Sequence, residues 1–169
     1  MDWYKKMNVR KKTLQLRRKR EGRTDYNKRL SLLKSGLPRL VIRKSLRNVR
    51  AQIVEYHPDG DKVLLTVDTH HLLKSYGLKK LRCNSSTAYL VGLLIGKKAL
   101  VKKITQAVLD IGLQRPVKNG VVFAALKGAV DAGMQIPYGE DILPDEKRIK
   151  GEHLKDSEFE QVKARVMKE

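Results

Sequence analysis

Apolar and polar residues alternate with a period of two along residues 40–53, as they do in strands that bury one face. The apolar positions are Leu40, Ile42, Val49, Ala51 and Ile53, and the polar positions between them include Arg43, Arg50 and Gln52. This pattern predicts two strands paired as a hairpin through a four-residue loop at 45–48. The Pro and Asp-Gly residues of 57–61 predict a turn, and the apolar run 63–67 predicts a third antiparallel strand.

Two helices and a further strand are predicted in the second half of the chain. The hydroxyls of 85–87 predict the N-cap of a long helix ending near Lys103, and Gly92 and Gly96, one turn apart, predict its close approach to the sheet. Residues 107–111 favour a fourth strand, and 121–132 a helix closed by Gly133 with Pro137 beyond. The order predicts an α/β fold in which a mixed sheet of about four strands packs against helices.

The first part of the chain has a different character. Residues 1–23 are dense in charge and poor in bulky apolar side chains, so we expect them to be extended or disordered until a polyanion orders them. Thr24 is predicted as the N-cap of a short helix. The apolar face of that helix and its stop signal are assigned to Tyr26, Leu30 and Leu33, then Gly36 and Pro38.

The last part is predicted as a polar loop region over 138–153 and a final helix, which docks on the body or frays. Asp156 and Ser157 are expected to cap this helix, whose apolar face carries Phe159, Val162 and Val166. The predicted organisation is a basic arm with a short helix over 1–35, a globular α/β domain over 36–153, and a C-terminal helix or tail over 154–169.

Charge is distributed very unevenly. Residues 1–50 hold 18 of the 37 Lys and Arg but only three acids, and so carry a formal +15 of the total +19. A concentrated cationic arm on a nearly neutral body is the electrostatic footprint of a nucleic-acid binder, because each phosphate that Lys or Arg neutralises releases a condensed counterion. Arg, which dominates 17–20, binds phosphate in a bidentate manner.

Other classes of function find little support. Cys83 is the only cysteine, which excludes an intramolecular disulfide and fits a cytoplasmic protein. His70 and His71 are adjacent and so face different sides of a regular element, unlike a zinc pair. No phosphate loop, dinucleotide fingerprint or acid/base constellation occurs. The apolar run 88–96 is too short to cross a membrane. We therefore expect no enzyme activity, metal, cofactor, small-molecule substrate or membrane contact.

The predicted hairpin register places Arg43 opposite Arg50 on the outer face of the sheet. Like charges in that relation destabilise a sheet by a few tenths to about 1 kcal/mol, so one interpretation is that a phosphate sits between the two guanidinium groups. The alternative is that the two arginines splay apart in solvent. Two interpretations are also open for Tyr26, whose ring can stack on an unpaired base or pack against Leu30 and Leu33.

The arm and hairpin sequences resemble a known family. The blocks that carry the resemblance include 17–26, 38–41, 43–45, 49–52, 86–90, 108–113, 131–133 and 148–153, and the resemblance covers most of residues 10–153. They are similar to the universal large-subunit ribosomal protein that binds 5S rRNA, numbered eighteen in bacteria and five in eukaryotes, in what looks like its archaeal form. The resemblance implies an α/β sandwich in the central protuberance that anchors 5S rRNA to the large-subunit, 23S-type rRNA beside neighbouring ribosomal proteins.

The candidate RNA contacts lie in the arm, the short helix and the hairpin. The positions that match the family are Arg17, Arg18, Arg20, Arg23, Arg29, Lys34, Arg43, Lys44, Ser45 and Arg50. To these the sequence adds Arg10, Lys11, Lys12, Lys19, Thr24, Tyr26, Arg47 and Asn48. Ser45 and Asn48 are candidates for 2′-hydroxyl contacts. The alternatives are a general RNA chaperone or assembly factor, an RNA-modifying or RNA-cleaving enzyme, and a peripheral membrane protein that uses the arm on anionic lipid.

Overall fold

The computed structural model describes residues 14–152 and 158–168. Its sheet has four strands, β1 (Arg39–Lys44), β2 (Val49–Glu55), β3 (Lys62–Asp68) and β4 (Val108–Asp110), in the order β3-β2-β1-β4. The pairs β1–β2 and β2–β3 are antiparallel, and β4 lies parallel to β1. The predicted α/β fold with a mixed four-stranded sheet is confirmed.

The predicted hairpin register is also confirmed. Ile42 pairs with Ala51 and Arg43 with Arg50 across the loop 45–48. The five predicted inner-face residues of β1 and β2 are fully buried. β4 is shorter than the predicted 107–111. The Ala107 N–H donates to the Gln135 carbonyl rather than to β1, and Gly112 turns the chain away with φ +62°.

Seven helices occur in the described part of the chain. They are α1 (Arg17–Arg20), α2 (Tyr26–Leu33), α3 (Thr69–Ser75), α4 (Ser85–Val101), α5 (Val121–Asp131), α6 (Glu146–Lys150) and α7 (Glu158–Met167), with a 3-10 turn at Glu140–Ile142. The predicted polar loop over 138–153 was therefore wrong for α6, which buries Ile149. Likewise, α1 is a helical turn within the arm that was predicted to be extended or disordered.

Two predicted helix caps were wrong by one residue. The N-cap of α2 is Asp25, whose carboxylate accepts from the Asn27 and Lys28 N–H groups, while Thr24 accepts from Arg18 Nε at 2.8 Å. The N-cap of α4 is Asn84, which accepts from the Thr87 N–H at 2.8 Å. Asx side chains accept from these N–H groups at least as well as hydroxyls do.

α4 is the central helix of the fold, and its first twelve residues are buried. It contacts β2 and β3 on one side and α5, α6 and α7 on others. Gly92 and Gly96 were predicted to face the sheet, but they face α5, where a Cβ on Gly92 would meet the Ala125 carbonyl. From α5, Gly128 approaches the Tyr89 backbone in the same way. The small residues therefore bring two helices together.

The ends of the described chain pack differently. Phe159, Val162 and Val166, the predicted apolar face of α7, are buried in the core, so of the two alternatives left open this helix docks. Its predicted caps Asp156 and Ser157 lie outside the described residues. Leu30 of α2 is 58% exposed, so its assignment to a packing face was wrong. Gly36 ends that region with φ +67°, as predicted.

A substitution of Gly92 by Ala is expected to destabilise the protein by about 1–3 kcal/mol, because the added methyl group has no space beside the Ala125 backbone. Urea unfolding measures the loss. Gly139→Ala is the matched control, since a Cβ there meets nothing within 4 Å and should leave the midpoint unchanged. Equal midpoints for both variants would contradict the close helix contact.

Candidate nucleic-acid interface

The outer face of the sheet is mainly polar, although Val41 and Val54 also belong to it, in contrast to the apolar face on which α4 and α5 pack. The strand alternation places there Arg39, Val41, Arg43, Arg50, Gln52, Thr66, Asp68 and Asp110. Helix α2, which connects the arm to β1, and the tip of the hairpin lie toward opposite ends of this face. The charged side chains of this face therefore lie between the basic arm with α2 and the basic tip of the hairpin.

Arginines and aspartates alternate in a connected network along this face. Asp61 accepts from Arg29 Nη2 at 2.8 Å and from Arg39 Nη2 at 2.6 Å. Asp110 accepts from Arg39 Nη1 at 2.8 Å and from Arg43 Nη2 at 3.2 Å. Arg39 is the most buried member, with 4% of its side chain exposed. The network links α2, the loop before β3, β1 and β4, and so fixes the orientation of the short helix on the body.

Asp61 has a perturbed pKa. Burial alone raises it, but the hydrogen bonds and charges of Arg29 and Arg39 outweigh burial and hold the pKa below its ordinary value of 3.8. A carboxylate whose pKa is depressed by folding stabilises the folded protein above the unfolded-state pKa. This contribution is lost as the pH falls below about 3.8 through the folded-state value.

We expect Asp61→Asn to be less stable than the wild type at pH 7 and the difference to shrink as the pH falls below about 3.8, because the unfolded chain then binds a proton that the folded carboxylate, with its lowered pKa, does not yet bind. Urea unfolding of both proteins across pH 3–7 measures this convergence. Asp59→Asn is the control, because the Asp59 side chain is 94% exposed on the same loop. A difference between wild type and Asp61→Asn that stays constant with pH would contradict the assignment.

Arg43 and Arg50 are cross-strand neighbours as predicted, but acids on the outer strands hold them. Arg43 donates to the Asp110 side chain and, at 2.9 Å, to the Asp110 carbonyl. Arg50 lies 3.5 Å from Asp68 of β3. These two aspartates offset the repulsion between the guanidinium groups. A phosphate between the arginines is therefore not needed to explain why they lie opposite each other. About half of each side chain remains exposed.

The hairpin tip is a tightly hydrogen-bonded turn. Ser45 N–H donates to the Asn48 carbonyl at 2.8 Å, and Asn48 N–H donates to Ser45 Oγ at 3.1 Å. Asn48 Oδ1 in turn accepts from the Thr69 N–H at the start of α3. Both predicted 2′-hydroxyl contacts thus have structural roles in the turn. Lys44 and Arg47 are exposed beside them.

In the arm, the described cations are exposed and make only local contacts. Glu21, just after the helical turn α1, pairs with Arg17 at 2.7 Å and with Arg23 at 3.1 Å. Lys34 is exposed just after α2, and Tyr26 is half-buried in its first turn. The predicted contacts Arg10, Lys11 and Lys12 lie outside the described residues.

Sequence reasoning missed the roles of Arg39, Asp61 and Asp110. Arg39 has the same strand parity as Arg43, so the alternation alone already placed it on the outer face. Its partners come from positions 22 and 71 residues away and had no local signal. Lys28 of α2 is a further exposed cation that was not singled out.

The described residues hold no arrangement typical of the other function classes. Among them, no three His, Cys, Asp or Glu side chains are grouped as metal ligands. Burial raises the pKa of the Cys83 thiol, the opposite of an activated nucleophile. No described helix has the length and apolar character needed to span a membrane.

A family model described as ribosomal large subunit proteins 60S L5 and 50S L18 matches residues 10–107 and 101–139. The chain belongs to this family. The matched residues include the arm from Arg10, the whole sheet and helices α4 and α5, so the match covers the charge network and the hairpin together. The family is one of structural ribosomal proteins rather than of enzymes. The resemblance in the arm and hairpin sequences is thereby confirmed.

Proposed function

We propose that this protein binds 5S rRNA and anchors it to the large-subunit, 23S-type rRNA in the central protuberance, as a non-catalytic part of cytoplasmic ribosomes. The observation that carries the proposal is the pairing of a cationic arm with a rigid, partly cationic sheet face in a chain of this ribosomal family. Neighbouring large-subunit proteins are the other expected partners.

The proposed mechanism is charge neutralisation on a fixed frame. Arg and Lys of the arm meet phosphates between RNA helices, while the Asp61 and Asp110 network holds α2 and the hairpin in a set relation. Such contacts read mainly the shape of the RNA backbone, because phosphates carry no sequence information. The proposed contacts are Arg10, Lys11, Lys12, Arg17, Arg18, Lys19, Arg20, Arg23, Thr24, Tyr26, Arg29, Lys34, Arg43, Lys44, Ser45, Arg47, Asn48 and Arg50.

Arg29 and Arg43 have a double role in this proposal. Each already donates to an aspartate, yet Arg29 keeps 31% and Arg43 44% of its side chain exposed. Arg39, at 4%, is too buried to reach a phosphate and serves the frame. Removal of Arg39 should therefore act through stability, and removal of an exposed cation through affinity.

Filter binding of the full chain to isolated 5S rRNA, with an unrelated RNA of similar length as competitor, tests the proposal. We expect 5S rRNA to be preferred by at least about a thousandfold at physiological salt, the lower end of the usual range for specific binding. The log–log plot of affinity against salt should be steep, by about 0.7–0.9 per phosphate contact. Equal competition by the unrelated RNA would instead indicate a general RNA chaperone and overturn the proposal.

A further inference from the structure

The tip of the hairpin carries a leucine that the charge network does not explain. Leu46 is 98% exposed, the highest value among the exposed large apolar residues of the described chain. It belongs to the turn Ser45–Asn48, whose backbone needs no left-handed conformation. A polar residue would satisfy the turn equally well, so neither folding nor backbone geometry calls for an apolar side chain at this position.

The turn holds Leu46 in a fixed place. The hydrogen bonds between Ser45 and Asn48 close the turn at 2.8–3.2 Å, and the Thr69 N–H donates to Asn48 Oδ1 at 3.1 Å. Thr69 is fully buried and its hydroxyl also bonds the start of β2, so the brace is anchored in the core. An apolar side chain presented by a rigid turn loses little conformational entropy when a partner covers it.

The surroundings of Leu46 identify the class of partner. Lys44 and Arg47 flank it, Arg43 and Arg50 stand behind it, and the chain has no Asp or Glu between Asp25 and Glu55. This cationic setting fits a polyanion. A phosphate gains nothing from a leucine, since an alkyl group removes water from the anion without donating a hydrogen bond. The apolar surfaces of RNA are the faces of its bases, which are accessible where a base is unpaired.

We propose that Leu46 packs against the face of an unpaired base of the bound RNA while the cations around it hold the adjacent phosphates. The inference rests on the proposed function. It divides the hairpin tip into a non-ionic contact that selects an RNA loop or bulge and ionic contacts that supply affinity. Leu46 then adds selectivity for local RNA structure to a hairpin tip whose other proposed contacts are mainly ionic.

Affinity and its salt slope, measured for 5S rRNA with variants of the full chain, separate the two kinds of contact. Leu46→Ala is expected to bind about tenfold more weakly with an unchanged slope, because no phosphate contact is lost. Leu46→Met, which stays apolar, should bind within about twofold of wild type. Arg47→Ala should instead lower the slope by about 0.7–0.9.

Leu46→Lys gives the sharpest contrast. If the leucine faces a base, the charged substitution weakens binding; if it faces phosphate, the added cation strengthens binding and steepens the slope, which would overturn the inference. Chemical probing should show one unpaired base that wild type protects and Leu46→Ala leaves reactive. Val101→Ala, at an 81% exposed position at the end of α4, is the apolar control and should behave as wild type.

The outcomes separate this inference from the proposed function. Wild type that fails to prefer 5S rRNA overturns the proposed function itself. Wild type that binds selectively, together with Leu46→Ala of equal affinity and equal protection, overturns only the role of Leu46. Because Leu46 is exposed, its variants should unfold at the wild-type urea concentration, so a change in binding reports contact rather than folding.

Discussion

Deletion of residues 1–24 is expected to weaken binding to 5S rRNA by about a thousandfold at physiological salt. The deleted segment contains ten Lys and Arg with two acids. If six of these cations meet phosphate, the log–log salt slope falls by about 4–5, since each contact contributes about 0.7–0.9. Titrations of 5S rRNA at several salt concentrations, with full-length and truncated protein, measure both quantities.

The truncation point separates binding from folding. Asp25 caps α2 and Arg29 pairs with Asp61, so a chain that begins after Thr24 keeps the helix and its connection to the body. Its urea midpoint should match that of the full chain. Replacement of Arg17, Arg18, Arg20 and Arg23 by Lys is the matched control. It keeps every charge, so the slope should be preserved and the affinity should fall only a fewfold through lost bidentate geometry. A truncated protein that binds 5S rRNA as tightly as the full chain would contradict the proposed role of the arm.

The buried face of β1 and β2 could be predicted from sequence because side chains alternate strictly between the two faces of a strand. Once the loop length 45–48 is given, alternation sets Ile42 opposite Ala51, and a slip of one residue would turn the apolar set outward. The same rule placed Arg43 beside Arg50. It could not supply their partners, because Asp110 reaches Arg43 only through the parallel pairing of β4 with β1. That pairing joins positions about seventy residues apart and leaves no local pattern.

Three features of the helices could not be predicted from the local sequence alone. Adjacent capping candidates are chemically similar, so Thr24 and Asp25, or Asn84 and Ser85, cannot be ranked without knowing where the backbone leaves the helix. Short helices such as α3 and α6 span fewer than two turns, so the apolar period does not repeat clearly enough to predict them. Likewise, Gly92 in the middle of a helix predicts a close approach by another element, but the sequence does not indicate whether that element is a sheet or a helix.

The candidate site likewise has one part that the sequence predicts and another part that it does not. Its cations were predicted because they stand out in composition, and exposed charge needs no knowledge of the fold. The ion-pair network that orients these cations was not predicted, because Arg39, Asp61 and Asp110 resemble ordinary surface charges in the sequence and come together only through the strand order of the sheet. Leu46 was overlooked for a similar reason, since full exposure becomes apparent only in the folded turn.

Asp110→Ala is expected to destabilise the protein by about 3–5 kcal/mol, the usual cost of removing one partner of a buried ion pair. The carboxylate accepts from Arg39 and Arg43 and, at 2.8 Å, from the Gly112 N–H that closes the turn after β4. Without it, the Arg39 guanidinium stays buried with Asp61 as its remaining acid partner among the described residues. Urea unfolding measures the loss, and Asp59→Ala, at an exposed position, should change stability by less than about 0.5 kcal/mol.

A double substitution tests whether the stability lost in Asp110→Ala comes from the buried Arg39 guanidinium. Arg39→Met combined with Asp110→Leu removes both partners and keeps apolar volume, so it should be more stable than Asp110→Ala alone, because no guanidinium that has lost one of its two carboxylates is left buried. Asp110→Asn should fall between wild type and Asp110→Ala, since an amide oxygen keeps one acceptor but no charge. If the paired substitution is as unstable as Asp110→Ala, the loss comes from the turn at Gly112 rather than from the arginine. The sheet face that orients the arm then depends on backbone geometry at the end of β4 more than on its ion pairs.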